Sequence, residues 1–216
     1  MSISALWAGW DGPCEWNFEF GPQTLGLVPE AYRESRLKQL MRASDFAEMI
    51  GVSDIITHVG FLPENICDSS YLDIVAALRY IAGYMKDKQQ FFLFETGQET
   101  PVTLLRTIEM VGLDNLGINF DTANLILYGK ANSVDALDIL GRYVRNTHIK
   151  DGLYPTSGRE LGKETPLGKG KANITEIISK LKALGFKGAL TIEREIEGSE
   201  QIRDILSAKG ILDRLI

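Results

Sequence analysis

The sequence predicts an α/β protein in which parallel strands curl into a (β/α) barrel. Strand-like and helix-like segments alternate six times along the 216 residues, which is typical of a parallel sheet with helices outside. The strands are almost uniformly apolar (FFLF, LGINF, ALTI), as expected when both faces are buried. No Pro-, Gly- and Ser-rich linker divides the chain, so residues 1–216 are predicted to form one domain.

The first half of the chain supplies three strands and two helices. Ile3 to Trp10 is β-prone and apolar, and Val52 to Gly60 (VSDIITHVG) forms the next strand. Apolar residues recur at helical spacing from Glu30 to Ile50 and from Tyr71 to Lys88. Phe91 to Glu95 is then an apolar strand that ends in a carboxylate.

The second half repeats the same alternation. Pro101 begins a helix at a position where proline is tolerated, and this helix ends near Val111. The remaining predicted strands are Leu116 to Asp121, Asn146 to Asp151 and Ala189 to Glu193, and the remaining helices are Val134 to Val144, Ile174 to Leu184 and Glu200 to Ile216.

A long segment, Asp11 to Pro29, follows the first strand and contains no predicted element. Loops of this length inside a compact domain are usually functional. With Trp10 just before it, the segment carries Trp16, Phe18 and Phe20. We interpret it either as a cover over a binding site or as a packed loop that clamps one end of the barrel.

Composition limits the classes of partner. A net charge of -6 spread along the chain argues against the basic face that nucleic-acid binding requires. Two cysteines are too few for a disulfide framework, and no apolar run approaches the ~20 residues that span a bilayer. The sequence therefore predicts a cytoplasmic protein with no nucleic-acid or membrane partner.

Five of the six predicted strands end in a residue that can carry charge or bind a metal. These residues are His58, Glu95, Asp121, His148 and Glu193. A single histidine or carboxylate at a strand end is more often structural. In a parallel barrel, however, the carboxyl ends of all strands lie on one face, so these five side chains are predicted to converge.

Three converging carboxylates would repel one another unless a positive charge lies among them. Carboxylate oxygens and neutral imidazole suit a divalent cation such as Mn²⁺, Mg²⁺, Co²⁺ or Zn²⁺. We therefore predict a metal site whose ligands are Glu95, Asp121, His148 and Glu193.

The ordered set of motifs resembles one family. The motifs are THVGF with His58, FETGQET with Glu95, NFDTAN with Asp121 and Asn124, THIKD with His148 and Lys150, PLGKGK with Gly168 and Gly170, and TIERE with Glu193. Together they are similar to the xylose isomerase-like TIM barrel family of sugar phosphate isomerases and epimerases, over essentially the whole chain.

The resemblance implies an activity and roles for particular residues. In that family a Glu, an Asp, a His and a second Glu hold the metal, and the two Glu residues are also the acid/base pair, here Glu95 and Glu193. The implied reaction is isomerisation or epimerisation of a sugar or sugar phosphate by proton transfer through an enediolate. His58 and Asn124 resemble substrate-contacting positions, and Trp10 and Lys150 are further substrate-binding candidates. Lys150 could instead pair with Asp151 or with a carboxylate on the rim.

The chain departs from the family pattern at its start. A complete barrel has eight strands, and the first strand here resembles the third by motif order, so the first two βα units are missing. We expect the gap to be closed by contacts in a homo-oligomer or by tighter closure of six strands, or else the chain is a fragment of a larger product.

Other functions use the same residues. An inosose-type polyol dehydratase would need the same metal and bases, and a catalytically impaired sugar-binding remnant would keep the site without turnover. The barrel-fold endonucleases of DNA repair are disfavoured because the chain has only two histidines and an acidic balance.

Overall fold

The main sheet of the protein is parallel and has six strands. This computed structural model describes residues 2–216. The strands are β1 (Leu6–Trp7), β2 (Asp54–Thr57), β3 (Phe91–Glu95), β4 (Leu116–Asp121), β5 (Val144–Ile149) and, after a separate hairpin, β8 (Leu190–Ile192). They lie in the order β1-β2-β3-β4-β5-β8, and every neighbouring pair is parallel. The predicted α/β class and TIM-type barrel fold are therefore confirmed.

The sheet is open rather than closed. Among residues 2–216, β1 pairs only with β2, and β8 pairs only with β5, so these two strands form the free edges of an incomplete barrel. Tighter closure of six strands, one of the three predicted solutions to the gap, is therefore wrong.

Helices connect successive strands and cover the outside of the sheet. They are α1 (Gly21–Thr24), α2 (Glu30–Met49), α3 (Tyr71–Lys86), α4 (Pro101–Val111), α5 (Asn124–Leu127), α6 (Ser133–Leu140), α7 (Ile174–Ala183) and α8 (Ser199–Leu212). The bounds of α4 match the prediction because local signals fix both ends. Thr100 caps its start by accepting a hydrogen bond from Thr103 N, and Gly112 ends it in the left-handed conformation.

Several bounds differ from the prediction, and the short helices α1 and α5 and one hairpin were not predicted. The first strand shrinks to Leu6–Trp7, the two residues that pair with Ile55 and Ile56 of β2. The helix predicted to reach Val144 ends at Leu140, where Gly141–Tyr143 form a 3₁₀ turn. The strand predicted to end at Asp151 ends at Ile149. Asp151 instead begins an unpredicted antiparallel hairpin, β6 (Asp151–Leu153) with β7 (Lys163–Thr165).

The core lies on both faces of the sheet. All residues of β2 and β4 are buried, and Phe92, Ile118 and Phe120 are fully excluded from solvent. The uniformly apolar strands predicted this burial. None of the helices in residues 2–216 has the length and apolar character needed to cross a bilayer.

The long loop after β1 is fastened to the end of β2 by backbone contacts. Leu27 N and Val28 N both donate to Val59 O. Gly26, with φ at 67°, approaches so closely that a Cβ atom there would lie 2.0 Å from the carbonyl of Val59. Arg36 donates to Gly26 O at 2.7 Å and to Pro13 O at 2.9 Å. The loop is therefore a docked part of the barrel end.

Replacing Gly26 with alanine is expected to detach this loop. The change imposes left-handed strain of about 1 kcal/mol and forces the backbone away from Val59. Gly51→Ala is the matched control, since Gly51 has φ at 70° but no atom within 4 Å of its added Cβ. We expect urea unfolding to show a larger loss of stability for Gly26→Ala than for Gly51→Ala. Equal losses would mean that the close approach of Gly26 to Val59 does not contribute to the effect.

Candidate metal centre

All five predicted residues meet at one edge of the sheet, where His58 Nε2 lies 3.5 Å from Glu95 Oε2 and the other four form a cluster of potential metal ligands. Glu95 ends β3, Asp121 ends β4, His148 lies on β5 and Glu193 directly follows β8. The register pairs Asp121 with His148 across adjacent strands. One potential ligand atom from each of the four lies within 4.8 Å of the others. Parallel strands thus bring together side chains that are far apart in the sequence.

The contacts within this group leave one carboxylate oxygen without a partner. His148 Nδ1 lies 2.7 Å from Glu95 Oε1 and 3.3 Å from Glu193 Oε2. Asp121 Oδ1 accepts hydrogen bonds from Ala123 N and Asn124 N at 2.7 Å each. Within residues 2–216, Asp121 Oδ2 is buried and has no hydrogen-bond partner, although Lys150 Nζ lies 3.6 Å away, so this oxygen keeps lone pairs for a cation.

The donor set fits a divalent cation. It offers three carboxylates and one imidazole, which are the ligand types that Mn²⁺, Mg²⁺, Co²⁺ and Zn²⁺ accept. The Oδ2 atom of Asp121, which lacks a hydrogen-bond partner, is a further reason to expect a divalent cation at this place. The four residues could therefore hold the predicted metal.

Burial and mutual charge shift the pKa values of the group strongly. Burial raises the pKa of Asp121 well above its usual range, although Lys150 opposes the shift. Burial alone would lower the pKa of His148, but hydrogen bonds with Glu193 and Glu95 raise it to about 10. Burial would raise the pKa of Glu193, but His148 and Lys150 hold it below its usual range. The metal-free group therefore balances its carboxylates with an imidazolium.

Lys150 supplies the other positive charge. Its side chain is 2% exposed, with Nζ 2.9 Å from Glu195 Oε2, 3.3 Å from Glu193 Oε2 and 3.6 Å from Asp121 Oδ2. Burial would lower its pKa, but these carboxylates raise it. In the structure the ammonium is surrounded by these acidic groups. Its contact with substrate stays a prediction.

A cavity of about 410 Å³ adjoins this group. Its walls are Trp7, Trp16, His58, Glu95, Asn124, Leu127, Tyr128, Leu161, Glu193 and Glu195. Two predicted substrate-binding residues, His58 and Asn124, thus face the cavity. Trp16 does too, which agrees with the interpretation of its loop as a cover.

Trp10 does not line this cavity, in contrast to its predicted role. Its ring packs 6.5 Å from that of Trp7 and 6.3 Å from that of Trp16, with the Arg36 guanidinium 5.0 Å away on the ring face. Trp7 takes the wall position and donates its indole N–H to Glu95 Oε2. The sequence could have shown which of these two tryptophans faces the cavity only if the pairing register of the first strand had been known.

Asp151, next to the site, organises the loop that precedes α7. Oδ1 accepts from Gly152 N and Ala172 N, and Oδ2 accepts from Gly168 N and Gly170 N, all at 2.9 to 3.0 Å. A Cβ atom at Gly170 would lie 2.2 Å from Asp151 Oδ1. Gly168 and Gly170 therefore serve a tight turn around a carboxylate.

Replacing Asp151 with asparagine is expected to destabilise the protein by about 3 kcal/mol or more, because an amide nitrogen would face backbone donors that need an acceptor. Asp213→Asn is the control: its exposed pair with Lys209 should be worth less than about 0.5 kcal/mol. Chemical denaturation measures both, and a loss for Asp151→Asn no larger than for Asp213→Asn would contradict the prediction.

Comparison with known proteins gives the same family as the motifs. The family profile described as "Xylose isomerase-like TIM barrel" matches residues 17–212. A curated relative, the uncharacterized protein MJ1311 of Methanocaldococcus jannaschii, is 31% identical over 114 residues, which is 52% of this chain. The match spans 36% of the length of that relative.

Solved structures extend the similarity to the whole chain. A xylose isomerase domain protein from Planctomyces limnophilus is 36% identical, with a TM-score of 0.92 over 99% of this chain and 76% of the other. A D-tagatose 3-epimerase-like protein is 21% identical, with a TM-score of 0.74 over 98% and 76%. A xylose isomerase-like TIM barrel protein from Mycobacterium smegmatis, solved with magnesium, is 20% identical, with a TM-score of 0.69 over 88% and 70%. The last two comparisons establish the fold alone.

Proposed function

This chain belongs to the family of xylose isomerase-like TIM barrels, and on that premise we propose that it is a metal-dependent isomerase or epimerase of a sugar. The observation that carries the proposal is the convergence of Glu95, Asp121, His148 and Glu193 beside a cavity. The proposal assigns residues 1–216 to one catalytic domain. The predicted homo-oligomer and cytoplasmic location stay predictions.

The four residues would hold a divalent cation in this proposal. When bound, the cation supplies positive charge that stabilises the oxygen of an enediolate. The Mycobacterium smegmatis protein, which shares the fold, was solved in complex with magnesium, and this supports a metal in the proposal without identifying the ion here.

Glu95 and Glu193 are the proposed acid and base, and they differ in exposure. The Glu95 carboxylate is 2% exposed and is held by Trp7 Nε1 and His148 Nδ1. Glu193 is 27% exposed and lines the cavity. One carboxylate removes a proton from the carbon beside the substrate carbonyl. Its return to the opposite face of that carbon is epimerisation, and its return to the neighbouring carbon is isomerisation.

The charge of the cavity favours an uncharged sugar over a sugar phosphate. Three of its wall residues are carboxylates, and none of the wall residues given above is Lys or Arg. The nearby Lys150 ammonium already contacts Glu193 and Glu195. A phosphate group would find no lysine or arginine partner among these wall residues, whereas sugar hydroxyls can donate to their carboxylates.

Deuterium exchange across a panel of sugars tests the proposal. The protein is incubated in D₂O with Mn²⁺ and a series of free ketoses and their phosphates, and carbon-bound deuterium is followed by NMR. We expect exchange with at least one free ketose, faster than with its phosphate, and none after chelation. Metal binding with no exchange in any sugar would overturn the proposal in favour of a sugar-binding protein, and a product lighter by one water would identify a dehydratase.

A further inference from the structure

The chain leaves an open edge of the sheet directly at Glu193. Residues 193–198 connect β8 to α8 and form no regular secondary structure. Within residues 2–216, the only strand that pairs with β8 is β5, and Glu193 N donates to Ile149 O of that strand at 3.2 Å. The segment after β8 therefore depends on contacts other than strand pairing to hold its outer side.

The β6–β7 hairpin supplies such contacts through Glu164. Both oxygens of its carboxylate lie 3.1 Å from Glu195 N, and Oε1 also accepts from Arg194 Nη1 at 2.9 Å. Glu164 thus binds one side-chain donor and one backbone donor of the two residues that follow Glu193. The side chains of Glu164 and Arg194 are 12% and 10% exposed, so solvent screens these charge-assisted hydrogen bonds little.

The hairpin itself is fixed to the barrel end. Glu164 pairs with Gly152 across the hairpin, and Gly152 follows Asp151, whose carboxylate accepts from four backbone N–H groups. Gly162 N donates to Leu127 O at 2.8 Å, which joins the hairpin to α5. The carboxylate of Glu164 therefore reaches the segment after β8 from a well-anchored element.

A second carboxylate binds the same guanidinium but leaves the backbone alone. Asp204 Oδ2 on α8 accepts from Arg194 Nε at 2.8 Å, and its side chain is 16% exposed. In the part of the chain that the structure describes, Asp204 makes no hydrogen bond with the backbone of residues 193–195. Glu164 and Asp204 are thus similar ion-pair partners of Arg194 that differ in the contact with Glu195 N.

We propose that Glu164 is a positioning residue for Glu193. It fixes the backbone just beyond the open edge of the sheet and so keeps the Glu193 carboxylate in the candidate metal centre, as a neighbouring strand would. Groups that orient metal ligands commonly contribute roughly 10- to 100-fold to metal affinity. The effect on cation binding rests on the proposed function, whereas the effect on the backbone does not.

Amide hydrogen exchange of the metal-free protein tests the effect on the backbone. We expect the Glu195 amide to be protected in the wild type, although it lies outside every described strand. Glu164→Ala should speed exchange at Glu193 and Glu195 by about 10-fold or more, since a hydrogen bond to a charged group is lost. Asp204→Ala is the matched control and should leave both amides protected. An unprotected Glu195 amide in the wild type, or equal effects of the two variants, would overturn the proposal.

Calorimetric titration with Mn²⁺ tests the effect on the metal centre. Affinity should fall by about 10-fold in Glu164→Ala and stay nearly unchanged in Asp204→Ala. Glu164→Gln should recover part of the loss, because its amide oxygen can still accept from Glu195 N. Unchanged affinity in folded Glu164→Ala would refute the positioning role, which a general loss of stability could not imitate.

Two further outcomes remain decisive. If the wild type binds no Mn²⁺, the proposed function fails, and amide exchange at Glu193 and Glu195 alone decides the inference. If Glu164→Ala does not fold, protection of the Glu195 amide in the wild type and its partial loss in Glu164→Gln decide it instead.

Discussion

Replacing Glu193 with glutamine is expected to slow deuterium exchange into the substrate by at least about 100-fold, the usual contribution of a general acid or base. Glutamine keeps the shape and one oxygen of glutamate but cannot accept a proton at neutral pH. Cation binding should therefore persist while proton transfer fails. Exchange is followed by NMR in D₂O, and cation binding by calorimetry.

Glu95→Gln should give a loss of the same order, because both carboxylates are assigned to proton transfer. Glu197→Gln is the matched control: it removes an exposed carboxylate four residues beyond Glu193 and should leave exchange unchanged. Exchange that survives in both Glu95→Gln and Glu193→Gln would remove these residues from the mechanism.

Replacing Glu99 with glutamine is expected to change how stability depends on pH. Glu99 is 4% exposed, its Oε1 has no hydrogen-bond partner, and burial raises its pKa to about 8, although backbone N–H groups oppose the shift. The folded pKa thus exceeds the unfolded value. The carboxyl favours folding below about pH 4.5, and this contribution is lost progressively as the pH rises through about 8.

Glu99→Gln should therefore gain stability relative to wild type by a few kcal/mol between about pH 4.5 and 8, since one pKa unit corresponds to about 1.4 kcal/mol. Urea unfolding across this range measures the difference, and any fixed cost of the amide cancels in the slope. Glu197→Gln serves again as the control, with no pH-dependent difference expected. A flat difference for Glu99→Gln would show that Glu99 is ionised in the folded protein.

The sequence predicted the parts of the fold that depend on local signals. The bounds of β3 and β4 follow from apolar runs that end in Glu95 and Asp121, and α4 has proline at its start and glycine after its end. The meeting of strand-end residues was predictable as well, because parallel strands share one carboxyl edge.

Features that depend on packing between distant segments were not predictable. The role of Asp151 requires the β6–β7 hairpin to bring Gly168 and Gly170 to its carboxylate. Trp7 lines the cavity in place of the predicted Trp10, and this depends on the register of an edge strand with two paired residues. The sequence placed Lys150 near the site. Its near-complete burial among carboxylates could not be predicted, because those carboxylates are distant in the sequence and meet only in the folded structure.

Because β8 is a free edge of the sheet, the Glu193 side of the candidate metal centre should open locally more easily than the rest. Glu95, Asp121 and His148 lie on strands with neighbours on both sides, whereas Glu193 follows a strand that, in the described part of the chain, pairs only with β5. Fraying of three residues, Leu190–Ile192, could withdraw Glu193 and leave the rest of the core folded. Amide hydrogens of β8 should therefore exchange before those of β3 and β4. A bound cation should slow exchange most in β8, because it would link Glu193, which follows this edge strand, to ligands on central strands.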